Sequence, residues 1–479
     1  MLNFASHHVP EFRLLSDEQI QEIHLATLEI LERTGSEIKD SRAREMLRKA
    51  GARVVDERVY IPAHLVEWAV QTAPERVMMC SRTGERSMPL ERNKVFFGTG
   101  SDTPNTIDPY SRERRRSRAN DVKEIARLCD ALPNIDFVMS MAIASDKPSQ
   151  SNYLYGFAGM AAGSSKPMVF TAHDLADMEQ IYEMAVAVAG SEDNLRANPF
   201  LLHYDEPISP LIHSPNGVAK LIFCAENMVP VTYVTGMLIG ATAPATLAGA
   251  CAMANAECLA ALVIHQLAKP GAPFVYGANV VPFDMRNATA SYAGPEFVLS
   301  NAAFAELSRF YRLPVWGLAG SADSKLLDAQ AGAEAMIAIT SAIMARGNLV
   351  HDVGYLEYGL TSSMEMILYC TELIEMVRTY AKGITCDDVR LAVDLIHEVG
   401  PGGHFLDTDH TVKYFRSEHF MPKLMERRNY DAWAQAGGKE MVDKLNERVL
   451  EILESHQPAP LSSTAQEAID KVLARADGK

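Results

Sequence analysis

Side chains able to bind or polarise a ligand stand at the ends of several short apolar runs along the chain. They include carboxylate, imidazole and amide groups among aromatic rings: Phe97, Asp102, His203, Tyr204, Asn279, Trp316, His351 and Tyr355. Aromatic faces attract cations, by about 2 kcal/mol or more where water is excluded, so a cluster of these rings could form a cage for a quaternary ammonium. The alternative for each residue singly is an ordinary hydrogen-bonded core position, because an unpaired buried polar group costs roughly 1–3 kcal/mol.

Other kinds of site have less support in the sequence. His203, Asp205 and His351 are candidate metal ligands, but their spacing does not require a metal, and we predict none. The chain has no G-x-S-x-G motif and no Walker loop, and the glycine-rich run 400–404 does not follow a strand as a phosphate cradle would. A metal-assisted lyase or hydrolase is therefore a secondary interpretation.

Eight apolar runs, each followed by a helical segment, must position these residues. The runs are 95–100, 137–141, 168–172, 200–204, 231–235, 274–278, 315–319 and 348–352. They recur every ~30–45 residues, the length of a strand, a helix and two loops, and continuous apolar runs are typical of strands buried on both faces. Eight such repeats close a parallel barrel, whose sites lie at the carboxyl ends of the strands.

The sequence therefore predicts an α/β fold, a (β/α)8 TIM barrel over residues 93–400. Residues 1–92, with a capping box at Ser16 and Gln19, are assigned to a helical N-terminal extension with a small β element. Residues 401–479 are assigned to a helical C-terminal extension packed on the barrel. An open, doubly wound sheet is the alternative, and it is disfavoured because no dinucleotide-binding fingerprint follows the first strand.

Composition and charge exclude some partners. The 479 residues carry a formal net charge of -16, so we expect no binding to nucleic acid, whose phosphates require Lys and Arg contacts. We find no run of about 18 apolar residues and no secretory signal, and we expect a cytoplasmic protein without a membrane span. The one basic run includes Arg112, Arg114 and Arg115, and it is either a solvated loop or a docking patch for an acidic partner.

Four segments resemble the signatures of one family: 97–102, 320–331, 351–362 and 399–406. Together they make the chain similar to the trimethylamine methyltransferase family, over nearly its whole length. Founding members of that family read an in-frame amber codon as pyrrolysine, whereas this chain consists of standard residues. The resemblance thus implies the branch without pyrrolysine, which demethylates glycine betaine and related quaternary amines and passes the methyl group to the Co(I) of a separate corrinoid protein.

The implied reaction converts glycine betaine to dimethylglycine. Alternatives are the same reaction on proline betaine, carnitine, γ-butyrobetaine or choline, and a betaine-binding sensor without transfer activity. The resemblance also implies that cobalamin is carried by the partner and that this chain alone binds no cofactor. We further expect a homo-oligomer.

The two ends of a betaine would need different groups. We expect donors to the carboxylate from His203, His351 and the backbone near Gly354, and rings for the ammonium from Phe97, Trp316 and Tyr355. The reaction needs no proton transfer, because a quaternary ammonium leaves as a neutral amine, so the enzyme mainly orients the methyl group and excludes water. Arg112, Arg114 and Arg115 follow the first strand on the same side and are expected to contact the corrinoid protein.

Overall fold

The computed structural model describes residues 7–8 and 11–478, so residues 1–6, 9 and 10 of the predicted N-terminal extension lie outside the described residues. In chain order, the helices α1 to α18 are Asp17–Glu29, Ser41–Lys49, Ala63–Thr72, Ala119–Ala131, Asn152–Gly163, Leu175–Ala189, Glu192–Ala197, Pro215–Asn227, Leu247–Ala268, Pro295–Tyr311, Ala329–Ala345, Met364–Tyr380, Asp388–Leu391, Val393–Val399, Asp409–Glu418, Tyr430–Gln435, Met441–Ser455 and Ser463–Ala476. A π-helical turn, Ile30–Thr34, extends α1, and a 3-10 turn spans Glu357–Gly359. The predicted capping box at Ser16 and Gln19 begins α1, and this prediction is confirmed.

The strands are short. In chain order, β1 to β22 are His7–His8, Ser36–Ile38, Arg53–Val55, Arg58–Tyr60, Val77–Met79, Met88–Leu90, Phe96–Thr99, Asn105–Ile107, Arg114–Arg116, Met168–Phe170, Leu201–Asp205, Ile212–His213, Val231–Tyr233, Gly236–Ile239, Phe274–Val275, Asn279–Asp284, Thr289–Ala290, Trp316–Leu318, Leu349–Val353, Tyr355–Leu356, Thr361–Ser363 and Ile384–Thr385.

Parallel pairing links the eight predicted runs in sequence order. β10, β11, β13 and β15 form one parallel sheet, and β18, β19 and β7 form another. Isolated parallel bridges join the rest: Gly98 with Phe137, Val138 with Met168, and Tyr276 with Val315. The pairings thus return to β7. The protein is an α/β protein, and this order of strands is compatible with the predicted barrel.

Successive residues of these strands belong to two different apolar layers, because strand side chains alternate between faces. One layer includes Val169, Leu202, Val275 and Leu349, together with the β5–β6 hairpin. The larger layer includes Met168, Leu201, Phe274 and Val350 and packs with the helices. The same alternation decides which strand side chains can reach a site at the end of the strands.

The helix α9 is long and apolar on all sides. By length and composition it could cross a membrane, but 83% of its apolar window is buried inside the protein, where it packs against α1, α3 and α8. A helix that is hydrophobic all round is typical of a protein core. Glu257 and other polar residues interrupt its apolar run, so its sequence does not read as a membrane span.

The C-terminal helices differ in how they pack. α17 packs against α12 and α4, and α18 against α6 and α5. By contrast, α13, α14 and α15 contain no buried residue, and they expose Leu391, Val393, Ile396 and Val412. Exposed apolar patches of this kind mark contact surfaces more often than random positions do.

Candidate active site

A cavity of about 460 Å³ opens at the carboxyl ends of the parallel strands. Residues that end or closely follow β7, β10, β11, β13, β15, β18 and β19 form its wall. The volume suits a small molecule. Five of the residues predicted from the sequence line it: Asp102, Tyr204, Asn279, His351 and Tyr355.

Two predicted residues, Phe97 and His203, face away from the cavity. Phe97 packs in the layer between strands and helices, where the Arg378 guanidinium lies 5.6 Å from its ring centre. His203 is fully buried, and its ring lies 5.0 Å from that of Phe170. Successive residues of a strand point to opposite faces. Tyr204, which follows His203 on β11, therefore takes the cavity position.

Two further predictions need correction. The Trp316 ring is buried beneath the cavity, with its centre 4.1 Å from that of His351 and 5.2 Å from that of Tyr204. Gly354 does not line the cavity, and its N–H already donates to the Gly320 carbonyl oxygen at 3.1 Å. Gly354 is therefore not available as the expected donor to a carboxylate.

The cavity wall also contains residues that were not predicted as site residues: Tyr153, Thr171, Asp205, Glu206, Lys220, Tyr292, Asp352 and Tyr358. Asp205, Glu206 and Asp352 adjoin predicted residues, so their strand-end positions were a usable signal. Tyr153 and Lys220 come from helices α5 and α8, Tyr292 comes from a loop and Tyr358 from the 3-10 turn. Tyr358 lies in the family-like segment 351–362 but not at the end of an apolar run, and no feature of the sequence marked the other three.

His351 and Asp352 form a buried pair at the end of β19. The His351 Nδ1–H donates to the Gly317 carbonyl at 3.2 Å, which leaves Nε2 facing Asp352 Oδ1 at 3.1 Å. Burial lowers the pKa of His351 to about 3 and raises the pKa of Asp352 well above its ordinary value. The imidazole is therefore neutral, and the carboxyl holds a proton unless a positive charge arrives.

Backbone geometry aims the Asp352 and Asp102 carboxyls. The register of β19 against β7 shifts between Val350 and Val353, and inside this bulge Asp352 has φ 80°. Asp102 has φ 52°. Such left-handed backbone at a residue other than glycine costs about 1–3 kcal/mol and clusters at functional sites, and bulges re-aim side chains.

Asp102 is held by hydroxyl groups. Its Oδ1 accepts from Ser140 Oγ at 2.6 Å, and its Oδ2 accepts from Thr171 Oγ1 at 3.0 Å. Burial nevertheless outweighs these two hydrogen bonds and raises the pKa of Asp102. The partners of this desolvated carboxyl are neutral hydroxyl groups, and it lacks a cationic partner among the described residues.

Asp205 and Glu206 differ in their charge partners. Asp205 Oδ1 lies 3.3 Å from the Lys220 ammonium, and Oδ2 lies 3.5 Å from His203 Nε2. Burial would raise the pKa of Asp205, but these two neighbours outweigh it and lower the pKa. Glu206 accepts a hydrogen bond from the Tyr204 hydroxyl, yet desolvation raises the pKa of Glu206 to about 7. Solvent reaches Glu206 from the cavity, but protein atoms surround its other sides.

Tyrosine rings make up much of the remaining wall: Tyr153, Tyr204, Tyr292, Tyr355 and Tyr358. Burial raises the pKa of Tyr153 to about 12 and raises the pKa values of Tyr204, Tyr292 and Tyr355 above their ordinary value. These four phenols stay neutral, and the faces of the tyrosine rings can attract a cation. Within the described residues, no group of three or more His, Cys, Asp or Glu side chains is arranged to hold a metal ion.

The three arginines expected to dock a partner are paired within the chain. Arg112 pairs with Asp443 at 2.9 Å, and Arg114 pairs with Glu357 at 2.8 Å. Arg115 bridges Asp108 and Asp121 and is more buried than the other two. Glu357 belongs to the 3-10 turn that also carries Tyr358 and Gly359 of the cavity wall, so Arg114 braces one side of the cavity mouth.

Comparison with known proteins identifies the family. The trimethylamine methyltransferase (MTTB) family model matches residues 1–478. The chain belongs to the trimethylamine methyltransferase family. It is 34% identical to the trimethylamine methyltransferase MttB of Desulfitobacterium hafniense, over 93% of this chain and 90% of that protein. It is 31% identical to the glycine betaine methyltransferase of another D. hafniense strain, over 98% of both chains.

Membership of this family makes the protein an enzyme, a methyltransferase. The fold is also similar to that of a solved structure, the monomethylamine methyltransferase MtmB of Methanosarcina barkeri. The TM-score is 0.55, with 11% identity over 93% of this chain and 88% of that one. At that level of identity the similarity concerns the fold alone.

Proposed function

We propose that this protein transfers a methyl group from a quaternary amine to the Co(I) of a separate corrinoid protein and releases a tertiary amine. The observation that carries the proposal is the cavity wall, in which tyrosine faces surround carboxyl groups without cationic partners. Such a wall complements a methylated ammonium ion, because ring faces and carboxylates both attract positive charge. Glycine betaine, the substrate predicted from the sequence, is in the name of one relative.

The reaction requires little acid–base catalysis from the enzyme. The two electrons of Co(I) form the new bond to the methyl carbon, and the C–N electron pair stays on nitrogen, so the amine leaves neutral without a proton transfer. The wall must hold the methyl group toward the mouth of the cavity and keep water away. The neutral tyrosines suit that task, since a phenol that keeps its proton is a poor nucleophile.

The corrinoid protein would carry the cobalamin to the cavity mouth, and this chain would bind no cofactor alone. We assign the parallel strands to a (β/α)8 barrel over residues 93–400, with extensions 1–92 and 401–479. The exposed apolar face of α13, α14 and α15 supports the predicted homo-oligomer. A cytoplasmic location remains a prediction from the sequence.

The test uses purified protein and cob(I)alamin under anoxic conditions, with a panel of quaternary and tertiary amines. Methylcobalamin formation, followed by absorbance, is expected with at least one quaternary amine and at higher rates with a cognate corrinoid protein. Transfer from trimethylamine only would reject the quaternary branch. No transfer with any amine, even with the corrinoid protein, would reject the proposal and favour a sensor or a metal-assisted barrel enzyme.

A further inference from the structure

We infer that the methyl donor is a quaternary ammonium ion without a carboxylate, and that betaines are poor ligands. The inference deepens the proposed function and rests on it. It follows from the balance of charges in the cavity wall and from the hydrogen-bonding groups that the wall leaves unpaired.

The wall holds more negative than positive groups. Asp102, Asp205, Glu206 and Asp352 line it, whereas Lys220 is the one Lys or Arg side chain among the described lining residues. The Lys220 ammonium donates to the Ala172 carbonyl at 2.7 Å and lies 3.3 Å from Asp205. The Lys220 charge is thus already paired with Asp205. The other three carboxyl groups lack a cationic partner within the described part of the chain.

The fully buried side-chain atoms of the wall that have no hydrogen-bond partner among the described residues are oxygens: Asp205 Oδ2, Asn279 Oδ1 and Asp352 Oδ2. Asp352 is 1% exposed. A buried acceptor without a donor costs free energy, so the wall is complementary to a ligand that brings positive charge or an O–H group. A carboxylate brings neither.

The groups expected to bind a betaine carboxylate are occupied. His351 Nδ1–H donates to the Gly317 carbonyl, and its Nε2 faces Asp352. The Gly354 N–H donates to Gly320, and His203 lies outside the cavity wall. A betaine carboxylate would therefore enter beside the carboxyl groups of Asp102, Glu206 and Asp352 without a positive group to separate them. It would be repelled by any of these groups that is ionised, and it offers no donor to the unpaired Asp352 Oδ2.

A cation without a carboxylate fits these features together. Its charge favours the ionised forms of Glu206 and Asp352, whose pKa values are raised by burial. The tyrosine faces contact its methyl groups. A hydroxyl group at the other end of the ligand could donate to Asp352 Oδ2 or Asn279 Oδ1. Choline is the simplest probe of this class.

Choline and glycine betaine make a matched pair of ligands, because both carry a trimethylammonium group. At the other end, choline has an alcohol and glycine betaine has a carboxylate. We expect isothermal titration to give a Kd for choline at least about tenfold lower than for glycine betaine, and methylcobalamin to form from choline. Equal or tighter binding of glycine betaine, or no binding of either compound, would overturn the inference. Binding of choline without any transfer would uphold the ligand class and reject the proposed function.

Two substitutions test the carboxyl groups. Asp352→Asn and Glu206→Gln each keep the side-chain shape and remove a carboxyl group that a bound cation would ionise. Each should weaken choline binding about tenfold, while glycine betaine binding weakens less or improves. Glu206 faces solvent in the cavity, so its variant should fold even if Asp352→Asn does not. Asp284→Asn, at the last residue of β16 and outside the cavity wall, is the control for net charge. Unchanged choline binding in both variants would count against the inference.

Discussion

At the scale of single residues, Glu206 gives the cavity a charge that changes near neutral pH. Desolvation raises its pKa to about 7, with a contribution from the nearby charges of Asp205, Asp102 and Glu257, while the Tyr204 hydroxyl opposes the shift. Above that pKa the side chain is an anion and attracts an ammonium ion. Below it the side chain is neutral and the attraction is lost.

We therefore expect binding of a quaternary amine to tighten by up to about tenfold as the pH rises from about 6 to about 8. The reason is that a carboxyl group is only about one-tenth ionised when the pH is one unit below its pKa. A quaternary amine keeps its charge over this range, so the protein alone titrates. Isothermal titration at several pH values measures the effect, together with the proton released on binding. Glu206→Gln should flatten the profile, and an unchanged slope in that variant would assign the effect to another group.

How far the site was predictable depends on where each residue lies. Asp102, Tyr204 and His351 follow apolar runs, and a parallel fold brings the ends of such runs together. Phe97 and His203 were also predicted but do not line the cavity, because a run buried on both faces does not reveal which alternate residues point to which layer. Tyr153, on a helix, carries no local signal, and only tertiary packing turns its ring to the cavity.

At the scale of elements, Gly98 lets two strand segments approach closely because it has no side chain. A Cβ built on Gly98 of β7 would stand 2.4 Å from Cε2 of Phe137, its partner in a parallel bridge. The phenyl ring is fully buried and cannot move aside without disturbing its neighbours. Gly317, in the middle of β18, offers a contrast, because its Cβ would come no closer than 3.8 Å to a Val350 side-chain atom.

Gly98→Ala should therefore lower the free energy of unfolding by about 1–3 kcal/mol, the usual cost of overpacking a core. Gly317→Ala is the matched control and should change it by less than about 0.5 kcal/mol. Thermal and urea unfolding of the two variants and the natural protein measure both effects. Equal stability of the two variants would show that the Phe137 ring relaxes freely and that the bridge is not a tight joint.

The elements were more predictable than the residues. All eight apolar runs coincide with segments that pair in parallel, since burial on both faces leaves an unbroken apolar pattern. The small additions at the strand ends, such as the antiparallel pair β20–β21, were not predicted. They hold the turn that carries Tyr358, and strands of two or three residues are too short to show a hydrophobic period.

At the scale of the whole molecule, the proposed corrinoid partner would approach a protein with a net charge of -16. Arg112 and Arg114 keep 49% and 47% of their side-chain surfaces exposed although they are paired, and Arg114 braces the turn beside the cavity mouth. A partner with an acidic face would be steered to this rim, and charges at a rim change association rates more than they change the bound state.

We expect Arg112→Glu to slow methyl transfer to the corrinoid protein by about tenfold at low ionic strength, with the difference shrinking as salt screens the charges. Transfer to free cob(I)alamin should stay unchanged, because that acceptor needs no protein docking. Arg33→Glu is the matched control: Arg33 is 80% exposed on the N-terminal extension, and its substitution changes the net charge equally. If both variants slowed transfer alike, the effect would belong to net charge. If free cob(I)alamin also reacted more slowly with Arg112→Glu, the Arg112–Asp443 pair would instead maintain the structure of the cavity mouth.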